Sequence, residues 1–257
     1  MSPLQTDFAC QVINLERSPK RLARIAADLA QAGIAFERFA AIEGRNLDPS
    51  QCPDFDRQAY ERLHGKLPTA NELGCYFSHV GAIRAFLASG REWGLILEDD
   101  ARVPADLRER VARLLASGAQ GDMNLLYDNR WHFSMVTAEL GQGQQVVGYW
   151  AKQTGTVAYL INRKAAQAFS DHLLPMRLPL DHAFVEVWRL GIRLRGVHPF
   201  AVSTGDFESD IGRIGLKFAW HRRLRTFGHR LVSGLQRLWY QLVRDPIWWE
   251  ALRRRRA

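Results

Sequence analysis

Strand-like and helix-like segments alternate through the first 100 residues, and this alternation limits the folds that the chain can adopt. A short apolar run at Phe8–Leu15 predicts a buried strand. A helix is predicted over Lys20–Ala32, because Ser18-Pro19 before it supplies a favoured N-cap and a proline suited to the first turn. Ile34–Ile42 and Trp93–Leu97 predict two further strands. We therefore predict an α/β protein with a mostly parallel sheet and helices on both faces.

The remaining elements follow the same pattern. Thr69 and Glu72 have the spacing of a helix capping box, so a helix is expected through Gly74–Ala88. Ligands of such sheets bind at the carboxyl ends of the strands, so Asn14–Arg17 and Glu98–Asp100, which follow two strands, mark the expected site. The other expected elements are a helical turn near Phe55–Leu63, helices at Pro104–Leu115, Arg163–Leu173 and Asp181–Leu190, strands at Met123–Tyr127 and Thr156–Ile161, and extended chain at Arg193–Val202.

The composition is that of an ordinary globular chain. Of the 257 residues, 47% are apolar and 24% charged, and a chain of this length builds a core without disulfides. Cys10, Cys52 and Cys75 are widely spaced, without a C-x-x-C metal pattern, so we interpret them as reduced thiols. No uncharged stretch reaches the ~18–20 apolar residues of a membrane span, and the first ten residues lack a secretory pattern. We therefore expect a cytoplasmic protein.

Glu98-Asp99-Asp100 is the most informative motif. The apolar Leu95–Leu97 run places these three carboxylates at one edge of the sheet, where they repel one another unless a cation neutralises them. Oxygen ligands of this kind suit Mg²⁺ or Mn²⁺, which bind through one or two carboxylates plus substrate phosphates. The alternative is a solvated acidic turn that caps the following helix.

The turn after the first strand offers groups that suit a nucleotide. Asn14 can read a base or ribose edge, while Arg17 and Arg21 can hold phosphates with planar donor forks. The helix that begins near Ser18 adds the positive end of its dipole. Taken alone, the segment is more often a polar strand-to-helix turn that carries two solvated arginines.

Two later segments are less specific when taken singly. Ser78 and His79 follow the capping box by two turns, and a lone helical histidine is most often a satisfied core or surface residue. Asp181 begins a predicted helix, so it is either an N-cap or a general base.

Together these segments resemble glycosyltransferase family 25, which includes bacterial lipopolysaccharide galactosyltransferases and collagen galactosyltransferase domains. The pairing of ELGC..SH with ILEDD at this separation is specific, whereas each piece alone is not. The resembling stretches cover roughly residues 9–211: VINLERSPKRL at 12–22, FERFAAIEG at 36–44, ELGCYFSH at 72–79, LILEDD at 95–100, Thr154-Gly155, AYLINRKAA at 158–166 and LPLD at 178–181.

The resemblance implies a GT-A fold and inverting transfer of a hexose, with galactose favoured, from a UDP-sugar to a hydroxyl of a lipid-linked glycan such as lipopolysaccharide core. Mn²⁺ or Mg²⁺ would be the cofactor, held at the ends of a D-x-D equivalent by Glu98 and Asp100. His182 and His198 are both candidates for a further ligand, with His198 as the working assignment. Asp181 would be the general base. The nucleotide-sugar-binding residues would be Asn14, Arg17, Arg21, Ser78, His79, Glu98 and Asp99.

The basic charge of the chain is concentrated at its C-terminal end. Residues 217–257 carry eleven Lys and Arg against Asp245 and Glu250, a net +9, so residues 1–216 sum to −1 in a chain of +8. We predict a catalytic domain over 1–216 and an amphipathic helical tail over 217–257, interrupted at Asp245-Pro246. The tail segregates an apolar stripe from its arginines, the pattern of an interfacial helix on an anionic membrane. The stripe consists of Leu224, Phe227, Leu231, Leu235, Leu238 and Leu242, flanked by Trp220 and Trp239.

Three classes of function compete. The favoured one is a sugar transferase, peripheral on the inner face of the cell membrane, that uses a glycan or glycolipid acceptor and no nucleic acid. The second is a metal-dependent nuclease or nucleic-acid-binding protein, which the near-neutral body disfavours because a phosphate track needs a basic groove. The third is a binding-only relative, which the intact acidic triplet disfavours. The tail is also open to a simpler interpretation, a helix that packs on the domain or on a dimer partner.

Overall fold

The computed structural model describes residues 8–127, 133–205, 218–219 and 224–254. The strands are β1 (Phe8–Asn14), β2 (Glu37–Ala40), β3 (Trp93–Glu98), β4 (Ala101–Arg102), β5 (Met123–Leu125), β6 (Ser134–Gly141), β7 (Gln144–Tyr149), β8 (Ala158–Asn162), β9 (Leu194–His198) and β10 (Ser203–Thr204). The helices are α1 (Pro19–Gln31), α2 (Arg57–His64), α3 (Ala70–Ala88), α4 (Leu107–Ala116), α5 (Arg163–His172), α6 (Leu180–Phe184), α7 (Leu224–Trp239) and α8 (Ile247–Arg254), with short 3₁₀ turns at Gly44–Asn46 and Val187–Arg189 and a π-helical turn at Tyr240–Arg244.

Within the described residues, a sheet of eight strands forms the centre, in the order β2-β1-β3-β8-β5-β9-β7-β6. β1 pairs in parallel with β2 and β3, and β5 pairs in parallel with β9. β8 and β7 pair antiparallel with each of their neighbours, so these two strands run against the other six. The predicted α/β class with a mostly parallel sheet is confirmed.

Helices cover both faces of the sheet because its strands alternate their apolar side chains. In β1, Val12 belongs to the core shared with α1 and α4, whereas Ile13 belongs to the core shared with α3 and α5. In β3, Leu95 and Leu97 point to the first core and Ile96 to the second. A strand buried on both faces appears in sequence as a continuous apolar run, as predicted for these two strands.

Most predicted elements are present, with ends shifted by a few residues. Thr69 accepts a hydrogen bond from the Glu72 amide, and the Glu72 carboxylate accepts one from the Thr69 amide, so the capping box is confirmed. The predicted helix at Asp181–Leu190 is shorter: α6 ends at Phe184, and a 3₁₀ turn follows.

The β6–β7 hairpin is not predicted from the sequence, which indicates no strand between Tyr127 and Thr156. β6 is half-exposed and has two register shifts against β7, so its alternation of apolar and polar residues is broken. Gly141, Gln142 and Gly143 form the turn with φ values of 79°, 51° and 73°, which only glycine and a few polar residues adopt readily.

The C-terminal helices pack on the α/β body. The Arg195 guanidinium in β9, fully buried, donates to both carboxylate oxygens of Asp245 at 2.7 and 2.6 Å and to Glu250 at 3.0 Å. The Thr226 hydroxyl donates to the Arg62 carbonyl at 3.0 Å. The predicted break at Asp245-Pro246 is present between the π-helical turn and α8.

The apolar stripe of the tail faces away from the body. Leu231 and Leu235 are 66% and 59% exposed, whereas Thr226 on the opposite side is fully buried. Gly228 and Gly234 lie inside α7 without ending it. Trp220, Arg222, Arg223, Arg255 and Arg256 of the predicted tail lie outside the described residues. Among those that are described, no helix combines the length and the apolar character needed to cross a bilayer.

Candidate active site

An open cleft of about 680 Å³ lies where β1 and β3 end, walled by α3 and the segment after β2. Because β1 and β3 are adjacent and parallel, with Ile13 opposite Glu98, their carboxyl ends deliver polar groups to one place. Seven predicted site residues line this cleft: Arg17, Arg21, Ser78, His79, Glu98, Asp99 and Asp100.

The Glu98 carboxylate is held by two side chains from different elements. Thr156 donates its hydroxyl to Oε1 at 2.7 Å, and His79 Nε2 lies 3.3 Å from the same oxygen. His79 Nδ1 lies 3.0 Å from the Tyr159 hydroxyl, an arrangement that suits a ring whose Nε2 carries a proton and donates it to Glu98. Burial alone would raise the pKa of Glu98, but the hydrogen bonds from His79 and Thr156 and the positive charge of Arg21 outweigh it and lower the pKa. Glu98 is therefore ionised and fixed.

Asp99 is held by the turn after β1. Asn14 Nδ2 donates to Oδ2 at 2.7 Å, and Arg21 donates to Oδ1 at 3.3 Å. Arg24 donates to the Asp99 main-chain carbonyl at 2.8 Å. Burial raises the pKa of Asp99, and these donors oppose the rise only in part.

Asn14 supports the site from beneath instead of lining it. It is 1% exposed, its amide nitrogen serves Asp99 and the Ser18 carbonyl, and its amide oxygen accepts from Arg38 at 3.0 Å. Both ends of the amide have protein partners, so the expected contact with a base or ribose would compete with them and stays a prediction.

Asp100 is the carboxylate of the triplet that keeps an unused acceptor. Its Oδ1 is buried without a hydrogen-bond partner among the described residues. Burial, followed by the charges of Glu98 and Asp99, raises the pKa of Asp100 to about 7. A buried carboxylate oxygen beside two further carboxylates fits a divalent cation, which would supply the missing partner and the neutralising charge.

A second group of possible ligand atoms lies deeper in the same cleft. Atoms of Cys75, His79 and Glu98 lie within 4.8 Å of one another. Both His79 nitrogens already face protein partners, and burial, followed by the nearby carboxylates, raises the pKa of the Cys75 thiol well above its usual value. A thiol ligand also suits Mg²⁺ or Mn²⁺ poorly. The donor set around Asp100 fits such a cation better.

Neither candidate late histidine lines the cleft of the acidic triplet. His198 ends β9, and β8 and β5 separate that strand from β3, an offset of about 14 Å at the usual strand spacing. Its ring packs against Phe200 at 4.6 Å between centroids. The sheet order thus separates β9 from β3, and the assignment of His198 as a metal ligand stays a prediction. The His182 ring contacts His64 at 4.9 Å and is not among the residues of this cleft.

Ser78 and two glycines build the wall of the cleft. Ser78 donates to the Gly74 carbonyl at 2.6 Å and accepts from the Ile42 amide at 2.8 Å, so its hydroxyl joins α3 to the segment after β2. A Cβ on Gly44 would lie 2.3 Å from the Ala70 carbonyl oxygen, and one on Gly74 would lie 2.7 Å from the Gly44 amide. The glycines of the ELGC..SH and AIEG motifs thus allow a close backbone contact between α3 and the segment that contains Gly44.

Arginines and a glutamate form the outer rim. Arg17 donates to Glu43 at 2.8 Å, and Arg45 lies 3.3 Å from the same carboxylate oxygen. Glu43, Cys75 and Thr156 contribute to the site although none was singled out from sequence. Each lies inside a resembling stretch or directly beside one, which was the only available signal.

Asp181 influences the cleft without lining it. Its charge contributes to the raised pKa of Cys75, which lines the cleft, and of Tyr60. Burial raises the pKa of Asp181 itself, and Lys152 partly opposes that rise. The Asp181 carboxylate accepts the His182 amide at 2.8 Å. Asp181 therefore combines a cap-like contact with the raised pKa that suits a base.

Comparison with known proteins gives a consistent family. The profile described as "Glycosyltransferase family 25 (LPS biosynthesis protein)" matches residues 9–184. A "Glycosyltransferase 25 family member" of Aedes aegypti is 29% identical over 176 residues, 66% of this chain and 29% of the relative. "Procollagen galactosyltransferase 1" of Danio rerio is 26% identical over 183 residues, 66% of this chain and 30% of the relative. "Inactive glycosyltransferase 25 family member 3" of Mus musculus is 31% identical over 224 residues, 77% of this chain and 37% of the relative.

The chain thus spans about a third of the length of these curated relatives. The relatives include proteins named as transferases and a protein named as inactive, and the nuclease interpretation receives no support from them. On the family profile, which matches well over half of its residues, the chain belongs to glycosyltransferase family 25.

Proposed function

We propose that this chain is an inverting hexosyltransferase that moves a hexose, with galactose as the favoured donor sugar, from a UDP-sugar to a hydroxyl of a lipid-linked glycan such as lipopolysaccharide core. The observation that carries the proposal is the buried Oδ1 of Asp100 at the end of β3, which has no hydrogen-bond partner among the described residues and lies in a cleft that Arg17 and Arg21 also line. The description of the family and the name of the Danio rerio relative support the acceptor class and the sugar.

Different residues of the cleft would bind the cation and the phosphates of the donor. Asp100 and Glu98 would hold Mn²⁺ or Mg²⁺, which when bound supplies Lewis-acid stabilisation of the charge that develops on the leaving diphosphate. Arg17 and Arg21 provide planar donors for the phosphates. Asn14 and Arg21 hold Asp99, and His79 and Thr156 hold Glu98, so the acidic edge is rigid before a substrate arrives.

The acceptor side requires one base and no covalent nucleophile. Single displacement inverts the anomeric carbon, so only the proton of the attacking hydroxyl needs a protein acceptor. Asp181 suits that role because burial raises its pKa, which makes the carboxylate a better proton acceptor than a solvated aspartate.

Turnover with defined donors tests this proposal. The full chain would be incubated with UDP-galactose, UDP-glucose and UDP-N-acetylglucosamine in Mn²⁺, and UDP release and the anomeric configuration of the product would be measured. We expect release that requires both an acceptor and a divalent cation, with inversion. Product of retained configuration, or equal release after chelation, would contradict the mechanism or the metal respectively. No release from any donor, with intact UDP binding, would indicate a binding-only relative.

We further propose that the protein is peripheral on the cytoplasmic face of an anionic membrane. The exposed apolar stripe of α7 turns its leucines outward while the opposite side contacts the body, the reverse of a helix that packs by its apolar face. Arginines flank the stripe, so a lipid surface of negative charge complements both features. Nucleic acid would leave the leucines exposed to water.

Vesicle binding distinguishes insertion from simple attraction. Leu235→Asp and Gln236→Asp add the same charge at adjacent exposed positions, but only Leu235 belongs to the stripe. We expect Leu235→Asp to release the protein from phosphatidylglycerol vesicles and Gln236→Asp to weaken binding only slightly. Equal loss in both would mean that apolar insertion contributes nothing. Retention of both on vesicles, or a dimer that Leu235→Asp dissociates in solution, would favour a protein partner.

A further inference from the structure

A second cleft, of about 930 Å³, lies between α7 and the segment around α6. Its lining includes Lys152, His182 and Glu186 on the body side and His229, Arg230 and Arg237 on α7. It is separate from the cleft at the acidic triplet, since the two share no lining residue.

The cations of this second cleft exceed its anions. Within the described part of the chain, no hydrogen bond or ion pair joins Lys152, Arg230 or Arg237 to an acidic side chain. Glu186 is already committed: it lies 2.9 Å from Arg189, accepts from the Ser233 hydroxyl at 3.0 Å and lies 3.5 Å from His229. Three basic side chains therefore converge on one space, with Glu186 bound to other groups.

Burial and repulsion between the basic groups shift the pKa values of Lys152 and His182. Burial, partly opposed by Asp181 and Glu186 and reinforced by Arg230 and Arg237, lowers the pKa of Lys152 to about 8. Burial lowers the pKa of His182 to about 2, and the Lys152 charge adds to this effect. His182 is therefore neutral, and an added anion would relieve the repulsion among the three cations.

We propose that this cleft binds a phosphate group carried by the acceptor. The inference rests on the proposed function and deepens it, because it makes the acceptor an anionic, phosphate-bearing glycolipid. Lys152 connects the cleft to the reaction, since its charge acts on the candidate base Asp181. The opposite wall is α7, whose outer side carries the stripe assigned to the membrane. A phosphate bound between the two would lie beside His182, the neighbour of Asp181 in α6, and against the helix that carries the stripe.

Phosphate binding by the full chain tests the inference without requiring turnover. Glucose 6-phosphate would be titrated calorimetrically into the wild type, into Arg230→Gln/Arg237→Gln and into the charge-matched control Arg225→Gln/Arg244→Gln, whose exposed arginines lie on the same tail outside the cleft. We expect at least a tenfold loss of affinity in the cleft variant and less than a twofold change in the control. UDP binding, measured in parallel, should be equal in all three proteins. Failure of UDP binding would count against the proposed function and leave the phosphate result standing.

Further arms identify the site and the source of the phosphate. Loss of glucose 6-phosphate binding in Arg17→Gln, with full binding in Arg230→Gln/Arg237→Gln, would place the phosphate in the first cleft and overturn the inference. Vesicles of phosphatidylcholine with phosphatidic acid test whether the phosphate belongs to a lipid. If Arg230→Gln/Arg237→Gln loses more vesicle binding than Arg225→Gln/Arg244→Gln, the cleft binds a phosphate that the lipid head group supplies. Equal behaviour of both pairs towards the sugar phosphate and the vesicles would overturn it.

Discussion

Replacement of Asp100 by asparagine separates the effect of this carboxylate on stability from its proposed role in metal binding and transfer. In the absence of a cation, Asp100 ionises beside two carboxylates, and its Oδ1 receives no hydrogen bond from a described residue. The asparagine side chain would have nearly the same shape and no charge. We therefore expect Asp100→Asn to stabilise the metal-free protein while it abolishes transfer and metal-dependent UDP binding.

The magnitude follows from the raised pKa. A pKa of about 7 in the folded protein, against an ordinary value of 3.8, corresponds to about 4 kcal/mol at ~1.4 kcal/mol per pKa unit. The folded state resists losing this proton, so the wild type loses stability as the pH rises from about 4 to about 7. The variant carries no such proton. We expect the two proteins to be equally stable near pH 4 and the variant to be more stable by about 2–4 kcal/mol at pH 8.

Urea denaturation between pH 4 and pH 8, with a chelator present, measures this difference. Asp106→Asn is the control, because Asp106 is an exposed carboxylate paired with Arg110 on the surface, and its removal should change the free energy of unfolding by less than ~0.5 kcal/mol. If Asp100→Asn is less stable than the wild type at pH 8, the carboxylate is satisfied by its surroundings and the argument for a cation site loses its basis. Addition of Mn²⁺ should stabilise the wild type and leave the variant unchanged.

Three further changes test other parts of the structure. Asp181→Asn should slow transfer by about 10²–10⁴-fold with little effect on UDP affinity, and in the wild type the rate should fall as the pH is lowered through the raised pKa of Asp181, measured as UDP release. Asp245→Ala leaves the buried Arg195 guanidinium without its bidentate partner and should cost about 3–5 kcal/mol, measured by urea denaturation. Gly44→Ala forces a Cβ against the Ala70 carbonyl and should cost about 1–3 kcal/mol and weaken UDP binding, measured by denaturation and calorimetry.

Each of these has a matched control. Asp171→Asn removes a carboxylate exposed on α5 and should leave the transfer rate unchanged. Asp48→Asn alters an exposed loop carboxylate and should shift stability far less than Asp245→Ala. Gly228→Ala adds a Cβ that meets no described atom within 4 Å beyond the backbone of α7 itself, and it should be neutral or stabilising, since alanine favours helix over glycine. Collapse of UDP affinity in Asp181→Asn would move Asp181 from the acceptor side to the donor site.

Strong local patterns predicted much of the fold. The apolar runs of β1 and β3 and the Thr69 capping box depend on neighbours in sequence, so the chain itself carries the signal. The β6–β7 hairpin lacks such a local signal, because its register shifts disrupt the alternation of apolar and polar residues that marks a strand. The sequence of the tail separates an apolar stripe from the arginines. Which side of α7 contacts the body depends on partners that are remote in sequence, such as Arg62.

The sequence by itself determined the α/β class, the family and the position of the acidic triplet, because short contiguous segments are enough to identify each of them. Only the tertiary structure decided how the three carboxylates differ. His79 and Thr156 serve Glu98, Asn14 and Arg21 serve Asp99, and Asp100 keeps an oxygen without such a partner among the described residues. The tertiary structure also decided that His198 lies strands away from the triplet, since sheet order is set by pairings between residues far apart in the chain. Burial and long-range pairing set the chemistry of a polar group, and neither is a property of the segment that carries it.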